Sequence, residues 1–267
     1  MGQELFNYDN TNLEEVIQYS EKILNRKFSD ILKEYDEADY KTYEDYQNQE
    51  ANEYEKKEIK PSSKGQYGNY IERYYFGYQP NSNAAADFEE IGVELKVTPF
   101  KVNKNGTISA KERLVLTIIN YFEENLDDFY QSHLWKKCSR MLLLFYNGLI
   151  EKVFLFEWFE EDMNVILDDY ARITQKIKDG RAHELSESDG NYLSTCTKGA
   201  GKGKDWKKQP FSDVMAKQRA WELKSSYMTY LINHKIFASH EQESVLATAK
   251  GTKKTFTQLI EEKMLMY

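Results

Sequence analysis

The alternation of apolar and polar positions is clearest between residues 87 and 99. Glu94, Lys96 and Thr98 are separated by apolar side chains, which is the period of a β-strand with one buried and one polar face. Glu94 and Lys96 are two residues apart, so they share the polar face. Gly92 permits a turn or bulge that returns the chain towards Asp87. The pattern therefore predicts a strand with two carboxylates and a lysine near its start.

The other hydrophobic patterns predict strands and helices in mixed order. Strands are expected over 113–121, 140–146 and 152–158, with hairpin turns at Asn105-Gly106 and Asn147-Gly148. Helices are expected over 11–35 (capped by Thr11 or Asn12), through Glu72 into 74–76, over 162–180, and over 213–234. Residues 123–129 predict a surface turn or short helix, and residues 79–86 and 183–208 predict loops. The order indicates a mixed α/β fold of the α+β kind.

Length and composition exclude several classes of protein. A chain of 267 residues can bury a sizeable core. It contains no run of about 18 apolar residues, so we expect no membrane span, and the first residues show no signal-peptide pattern. Cys138 and Cys196 are far apart in sequence, which excludes a cysteine-rich zinc site and suits a reducing, cytoplasmic environment.

The distribution of charge matters more than the net value of −8. Residues 34–55 hold nine acidic residues against one lysine, so the rest of the chain is formally neutral. This acidic tract is either a solvated segment or a strip that mimics DNA and covers a binding site. Residues 197–208 are basic and rich in glycine, and their lysines are Lys198, Lys202, Lys204, Lys207 and Lys208. Such a segment is either a solvated loop or a contact to the phosphates of DNA.

Asp87, Glu94 and Lys96 have the chemistry that phosphodiester hydrolysis needs. Two carboxylates can hold Mg²⁺, which neutralises phosphate and lowers the pKa of a bound water, and a lysine can orient that water. Glu-x-Lys occurs five times in the chain, but only this copy lies within an alternating strand pattern. The alternative is a strand with an exposed ion pair.

Several motifs together resemble the MutH family of GATC-specific nucleases and the related type II restriction endonucleases. The resemblance is carried by Lys64-Gly65-x-x-Gly68-x-x-x-Glu72 and by Asp87-x6-Glu94-Leu95-Lys96-x-x-Pro99. Further motifs are similar to the restriction-enzyme branch: Lys111-Glu-Arg-Leu-Val-Leu, His183-Glu-Leu-Ser-Glu187, Cys196-Thr-Lys-Gly-Ala200, Gln209-Pro-Phe-Ser-Asp213 and Leu223-Lys-Ser-Ser-Tyr-Met-Thr229. The resemblance covers residues 64–235.

The resemblance implies a fold and a set of site residues. The fold is the PD-(D/E)XK nuclease core, a mixed sheet flanked by helices with two lobes around a DNA cleft. Asp87 and Glu94 would hold Mg²⁺, Lys96 would address the attacking water, and Glu72 would supplement the metal site. Lys137 would be a further active-site lysine, with the adjacent Lys136 as the alternative.

The resemblance is weaker for base recognition. MutH-type enzymes carry Arg-Pro-Lys in their recognition loop, where this chain has Cys196-Thr197-Lys198. A lysine can still address the guanine acceptors of the major groove. The expected DNA-binding residues are Lys64, Lys198, Lys202, Lys204, Lys207 and Lys224.

The resemblance also implies an activity and an organisation. We expect a Mg²⁺-dependent type II restriction endonuclease that cuts double-stranded DNA at GATC, as a monomer in solution that pairs on DNA. The alternatives are a DNA-binding module with weak or no activity and a MutH-like nickase.

The expected parts are an N-terminal helical and acidic segment over 1–60, the nuclease domain over 61–240 and a helical extension over 241–267. The extension would lead to a second, allosteric domain missing from this chain.

Overall fold

The computed structural model describes residues 8–31, 66–78, 85–199 and 205–237. The helices are α1 (Leu13–Glu21), α2 (Gln66–Tyr70), α3 (His133–Cys138), α4 (Met163–Lys178) and α5 (Ser225–Leu231), with π-helical turns at Ile71–Tyr75 after α2 and Ile232–Ile236 after α5. The strands are β1 (Glu94–Val102), β2 (Ile108–Ala110), β3 (Leu114–Ile118), β4 (Arg140–Asn147), β5 (Leu149–Glu157), β6 (Leu193–Thr197), β7 (Trp206–Gln209), β8 (Ser212–Lys217) and β9 (Arg219–Leu223). The mixed α/β class expected from the sequence is confirmed.

A four-stranded mixed sheet of order β2-β1-β4-β5 forms the centre of the fold. β1 and β4 run parallel, with Glu94 opposite Met141, while both sequence-predicted hairpins close antiparallel. Their turns contain Gly106 and Gly148 at φ of +82° and +89°, a conformation that glycine adopts without strain. The strong local turn signals therefore located these strands correctly.

A second sheet of order β3-β9-β6 is antiparallel, and β7 and β8 form a separate two-stranded ribbon. The helix predicted over 213–234 is wrong for its first half, which forms β8 and β9, and β6 and β7 interrupt the loop predicted over 183–208. Residues 214–223 are rich in good helix formers. However, β9 is the middle strand of its sheet and is buried from Ala220 to Leu223, so its sequence lacks the alternating pattern of a half-buried strand. Its pairing with two neighbouring strands outweighs the helix propensity of its residues.

The central sheet is buried on both faces. On one face, Leu142 and Leu144 of β4 pack against α1 and the π-turn that follows α2. On the other face, Met141, Leu143 and Phe145 pack against α4, α5 and the second sheet. The continuous apolar run of β4 is the pattern expected of a strand covered on both sides.

The N-terminal helix is shorter than predicted. Asn12 caps α1 as expected, because its side chain accepts hydrogen bonds from the first-turn amides of Glu14 and Glu15. The helix ends at Glu21, and Asn25 has a φ of +62°, which a continuous helix over 11–35 cannot contain. A separate helical turn begins at Phe28.

Some predictions lie outside the described residues. These are the acidic tract over 34–55, the extension over 241–267, the loop over 79–84, and the lysines Lys64, Lys202 and Lys204. Within the described ranges, no helix is both long and apolar enough to cross a membrane.

Candidate active site

Asp87 and Glu94 meet at the start of β1 because the chain turns tightly between them. A 3-10 turn over Glu89–Ile91 ends at Gly92, which is left-handed with a φ of +62°. The Asp87 carboxylate then accepts a hydrogen bond of 2.9 Å from the Leu95 amide, and the Asp87 amide donates one of 3.2 Å to Glu94 Oε2. The turn expected at Gly92 is therefore confirmed, and it fixes the two carboxylates side by side.

Glu94 is buried between two ammonium groups. Lys96 Nζ lies 2.6 Å from Glu94 Oε1, and Lys137 Nζ lies 3.1 Å from Glu94 Oε2. The Glu94 side chain is only 4% exposed, so the alternative of an exposed ion pair on a polar strand face is wrong. The reason is tertiary: β1 is an interior strand of the sheet, and α3 brings a second lysine over its polar face.

The structure distinguishes between the two adjacent lysines of α3. Lys137 points into the cluster and donates a hydrogen bond of 2.6 Å to the carbonyl of Ala85, two residues before Asp87. Lys136 is exposed to solvent. Of the two candidate lysines, Lys137 is therefore the one that lies in the cluster.

Glu72 also belongs to the cluster, from the π-turn after α2. Burial, followed by repulsion from Asp87, raises its pKa to about 7. A side chain at Gly68 would contact Glu72, because a Cβ placed there would lie 3.7 Å from Glu72 Oε1. The second glycine of the Lys-Gly-x-x-Gly motif thus leaves space beside this carboxylate.

The charges of the cluster are set by burial and proximity. Burial, followed by repulsion from Glu94, raises the pKa of Asp87 to about 6. Burial lowers the pKa of Lys96, but the attraction of Glu94 and the other anionic groups around it outweighs burial and raises the pKa overall. Lys96 is therefore an ammonium ion at neutral pH, and it can donate hydrogen bonds but cannot accept a proton.

The donor set fits a hard divalent cation. Within the described residues, no three His, Cys, Asp or Glu side chains meet at metal-ligand spacing. Asp87 and Glu94 adjoin, and an ion held by this pair would take its remaining ligands from water or substrate. Mg²⁺ commonly binds through one or two carboxylates in this way. Burial first, and then the neighbouring carboxylates, raise the pKa values of Asp87 and Glu72, and a cation beside these groups would favour their charged forms.

The raised pKa of Glu72 predicts that the free energy of unfolding of the metal-free protein depends on pH. The pKa of Glu72 rises from 4.5 to about 7 on folding, so between these values the folded chain keeps a proton that the unfolded chain has lost. The contribution of Glu72 to the free energy of unfolding therefore falls as pH rises through this window. We expect Glu72→Gln, which mimics the neutral acid, to match wild type near pH 4 and to exceed it near pH 8. Urea denaturation in EDTA measures this.

The control for this measurement is Glu90→Gln, which removes an exposed carboxylate from the neighbouring turn. Its stability relative to wild type should not change across the same pH range. A Glu72→Gln variant that behaves like the control would contradict the assigned environment of Glu72.

The predicted DNA-binding lysines occupy different surroundings. The Lys198 amide bonds to the carbonyl of Gln218 at 2.8 Å, which places Lys198 at the corner between β8 and β9, and Lys207 is exposed on β7. Lys224 donates hydrogen bonds to the carbonyls of Glu187 and Gly190 at 3.2 and 3.0 Å. Its ammonium therefore holds the loop before β6 in this structure.

The sequence reasoning missed an aromatic residue beside this corner. Trp206 opens β7 and is 47% exposed, and the ammonium of Lys217 lies 5.9 Å from the centre of its ring. Exposed aromatic side chains among lysines are typical of nucleic-acid contact surfaces. A tryptophan directly after a basic, glycine-rich segment is the signal that could have identified it.

The downstream motifs that carried the resemblance meet in the fold. Arg113 forms ion pairs with Glu187 and with Glu222, the second at 3.0 Å, where Glu222 is buried in β9. His183 Nδ1 lies 2.9 Å from the side-chain nitrogen of Gln209. These residues hold the second sheet and its connections together, so their motifs have a structural explanation.

The chain is similar to a known protein family and to a characterised restriction enzyme. Residues 76–169 match the family model described as DNA mismatch repair enzyme MutH. A stretch of 195 residues, 69% of this chain, is 40% identical to the type II restriction enzyme Sau3AI of Staphylococcus aureus. That stretch covers 40% of Sau3AI, so the chain spans less than half the length of the curated relative it matches.

The mixed sheet flanked by helices, with Asp87, Glu94 and Lys96 at the start of its central parallel pair, defines a PD-(D/E)XK nuclease-type fold. Within that class, residues 76–169 match the MutH family model, and 69% of the chain is similar to Sau3AI.

Proposed function

We propose that this chain is the catalytic part of a type II restriction endonuclease that hydrolyses double-stranded DNA at GATC and depends on Mg²⁺. The observation that carries the proposal is the buried cluster in which Asp87 and Glu94 adjoin and two lysines contact Glu94. The similarity to a type II restriction enzyme over 69% of the chain supports the reaction class. The restriction-type motifs, such as Cys196-Thr-Lys-Gly-Ala200, support GATC as the target.

Each residue of the cluster has a chemical role in this proposal. Asp87 and Glu94 would hold the cation, with Glu72 nearby to complete its surroundings through water. The bound Mg²⁺ would supply neutralisation of the phosphate and a lowered pKa for water. Lys96, held as an ammonium ion by Glu94, would donate a hydrogen bond that orients the attacking water. Lys137 would stabilise the charge that develops on the phosphate oxygens.

The basic corner around Lys198 and Lys207 would contact the phosphates and the edges of the bases. Lysine side chains release counterions from phosphates, and one of them can address guanine in the major groove. GATC is a palindrome, so cutting both strands takes two catalytic centres or two binding events. We propose a cytoplasmic monomer that pairs on DNA.

Digestion of plasmid DNA in Mg²⁺, followed by sequencing of the ends, tests the proposal. We expect double-strand cuts at GATC on unmethylated plasmid and none in EDTA. Nicks in one strand would favour a MutH-like nickase, which the family match also supports. Binding of a GATC duplex without cleavage would favour a DNA-binding module, and cuts at another sequence would contradict the assigned target.

A further inference from the structure

Thr117 and His133 join the second sheet to the helix that carries Lys137. Thr117 Oγ1 on β3 lies 3.0 Å from His133 Nε2 on α3, and Thr117 is buried. His133 precedes Lys137 by four residues, so the two side chains share one face of the helix. The residue that contacts the second sheet is thus one helical turn from the residue that contacts Glu94.

The geometry of β3 is irregular where it makes this contact. The register of β3 against β9 shifts between Val115 and Ile118, so Thr117 lies within a β-bulge. A bulge leaves the regular ladder and re-aims a side chain, and bulges are frequent next to active sites. The bulge allows Thr117 to meet the His133 ring while the strand on either side stays paired with β9.

Two further hydrogen bonds hold α3 in place beside the Thr117–His133 bond. Trp158 Nε1 donates a hydrogen bond of 2.9 Å to the carbonyl of Cys138, which ties the end of the helix to the central sheet. The Glu123 carboxylate accepts from the His133 amide. The His133 side chain adds a hydrogen-bonded contact between the first turn of α3 and β3.

β3 is also bonded to the basic corner. The Ile119 amide donates to the carbonyl of Arg219 at 2.9 Å, and the Tyr121 hydroxyl donates to the carbonyl of Lys217 at 2.6 Å. The intervening residue, Gln218, accepts the hydrogen bond from the Lys198 amide. Three hydrogen bonds, joined by short stretches of backbone, therefore connect Lys198 through Gln218 and Arg219 to Ile119, and Thr117 to His133.

The state of the His133 ring suits this contact. Burial lowers its pKa, so the ring is neutral at neutral pH, with one nitrogen that donates and one that accepts. The ionisable groups that face it are Glu123, Lys137, Glu94 and Lys136. Either ring tautomer can pair with a hydroxyl, which donates and accepts equally well.

We propose that His133 is a positioning residue whose bond to Thr117 sets Lys137 against Glu94 and couples that ion pair to the sheet that carries the basic corner. The inference rests on the proposed nuclease function. Lys137 reaches Glu94 Oε2 at 3.1 Å and the Ala85 carbonyl at 2.6 Å, so a shift of α3 by about 1 Å is enough to weaken both contacts. His133 acts through Lys137 and makes no contact with the scissile phosphate.

Three variants and their combination test this role. We expect Thr117→Val and His133→Ala each to lower kcat by about ten- to a hundredfold, while KM and the Kd of the GATC duplex without divalent cation change by less than about twofold. The double variant should be no slower than the slower single variant, because both changes remove one shared interaction. Thr117→Ser keeps the hydroxyl and should restore kcat.

The outcomes that overturn the proposal are distinct. Losses that multiply in the double variant, a Thr117→Ser variant as slow as Thr117→Val, or a Kd that weakens in step with kcat would each assign the pair an ordinary stabilising role. The melting temperature of each variant is measured in parallel.

A second measurement does not depend on cleavage. In a crystal structure of Thr117→Val, we expect Lys137 Nζ to lie beyond about 4 Å from Glu94 Oε2, outside ion-pair distance. An unchanged pair would overturn the positioning role. A wild-type chain that fails to cut DNA would count against the proposed function. The crystal structure of Thr117→Val would still decide whether the Thr117–His133 bond positions Lys137.

Discussion

Replacing Glu94 by glutamine is expected to lower the rate of DNA cleavage by about a thousandfold or more. The carboxylate adjoins Asp87 and contacts both Lys96 and Lys137. The substitution keeps the shape of the side chain but removes a charge that both lysines contact and that the proposed cation would need. It also turns an amide group towards one of the two lysines. DNA binding should not weaken, because the change removes negative charge from the site.

The measurement is single-turnover cleavage of a GATC duplex in Mg²⁺, with binding measured separately by anisotropy. Glu90→Gln is the matched control, because it makes the same chemical change at an exposed position in the turn between Asp87 and Glu94. It should cleave within about twofold of wild type. Cleavage by Glu94→Gln within tenfold of wild type would remove Glu94 from the catalytic centre.

Replacing Asp169 by alanine is expected to lower the free energy of unfolding by about 3 to 5 kcal/mol. Asp169 is fully buried on α4, and its carboxylate accepts hydrogen bonds from the amides of Asn191, Tyr192 and Leu193 at 2.8, 2.7 and 3.1 Å. Alanine would leave these three amides without that acceptor, and Leu193 among them is fully buried. The segment they hold leads directly into β6, which forms an edge of the second sheet.

Urea denaturation of the purified variants gives this free energy. The neighbouring Asp168→Ala is the matched control, since Asp168 is exposed on the same helix and its loss should change stability by less than about 0.5 kcal/mol. Equal stabilities for the two variants would show that the carboxylate of Asp169 does not anchor the segment. An Asp169→Asn variant, which retains one acceptor oxygen, should fall between them.

The two predictions separate two kinds of buried carboxylate in this fold. Asp169 accepts hydrogen bonds mainly from backbone amides of one segment and serves the fold. Glu94 is held by two lysines beside another carboxylate, an arrangement that contributes little to stability and is expected at a catalytic centre. Burial alone does not distinguish them; the partners do.

Local signals in the sequence were enough to locate the central sheet. The alternation around Glu94, the Asn-Gly turns and Gly92 depend on residues close together in the chain, and such features are determined by local conformational preference. The motif spacing also pointed to Asp87, Glu94, Lys96 and Glu72 as a group, because a resemblance to a family transfers residues that are distant in sequence.

The second sheet could not be predicted from local sequence patterns. Residues 214–223 favour a helix by composition. Residues 219–223 instead form β9, because pairing with β3 and β6 buries that strand in the middle of the second sheet, and β8 pairs with β7 in the two-stranded ribbon. The break of the N-terminal helix after Glu21 likewise comes from packing: the amide of Asn25 and the carbonyl of Arg26 both bond to Ile150 on β5.

The sequence by itself determined which residues can do the chemistry: two acids and a lysine at fixed spacing, with a third carboxyl group, that of Glu72, upstream. Only the tertiary structure decided that Glu94 is buried between Lys96 and Lys137, that Lys137 rather than Lys136 enters the cluster, and that Thr117 contacts His133. The physical reason is that charge, burial and pKa depend on groups brought together from separate elements, whereas strand period and turns depend on neighbours in the chain.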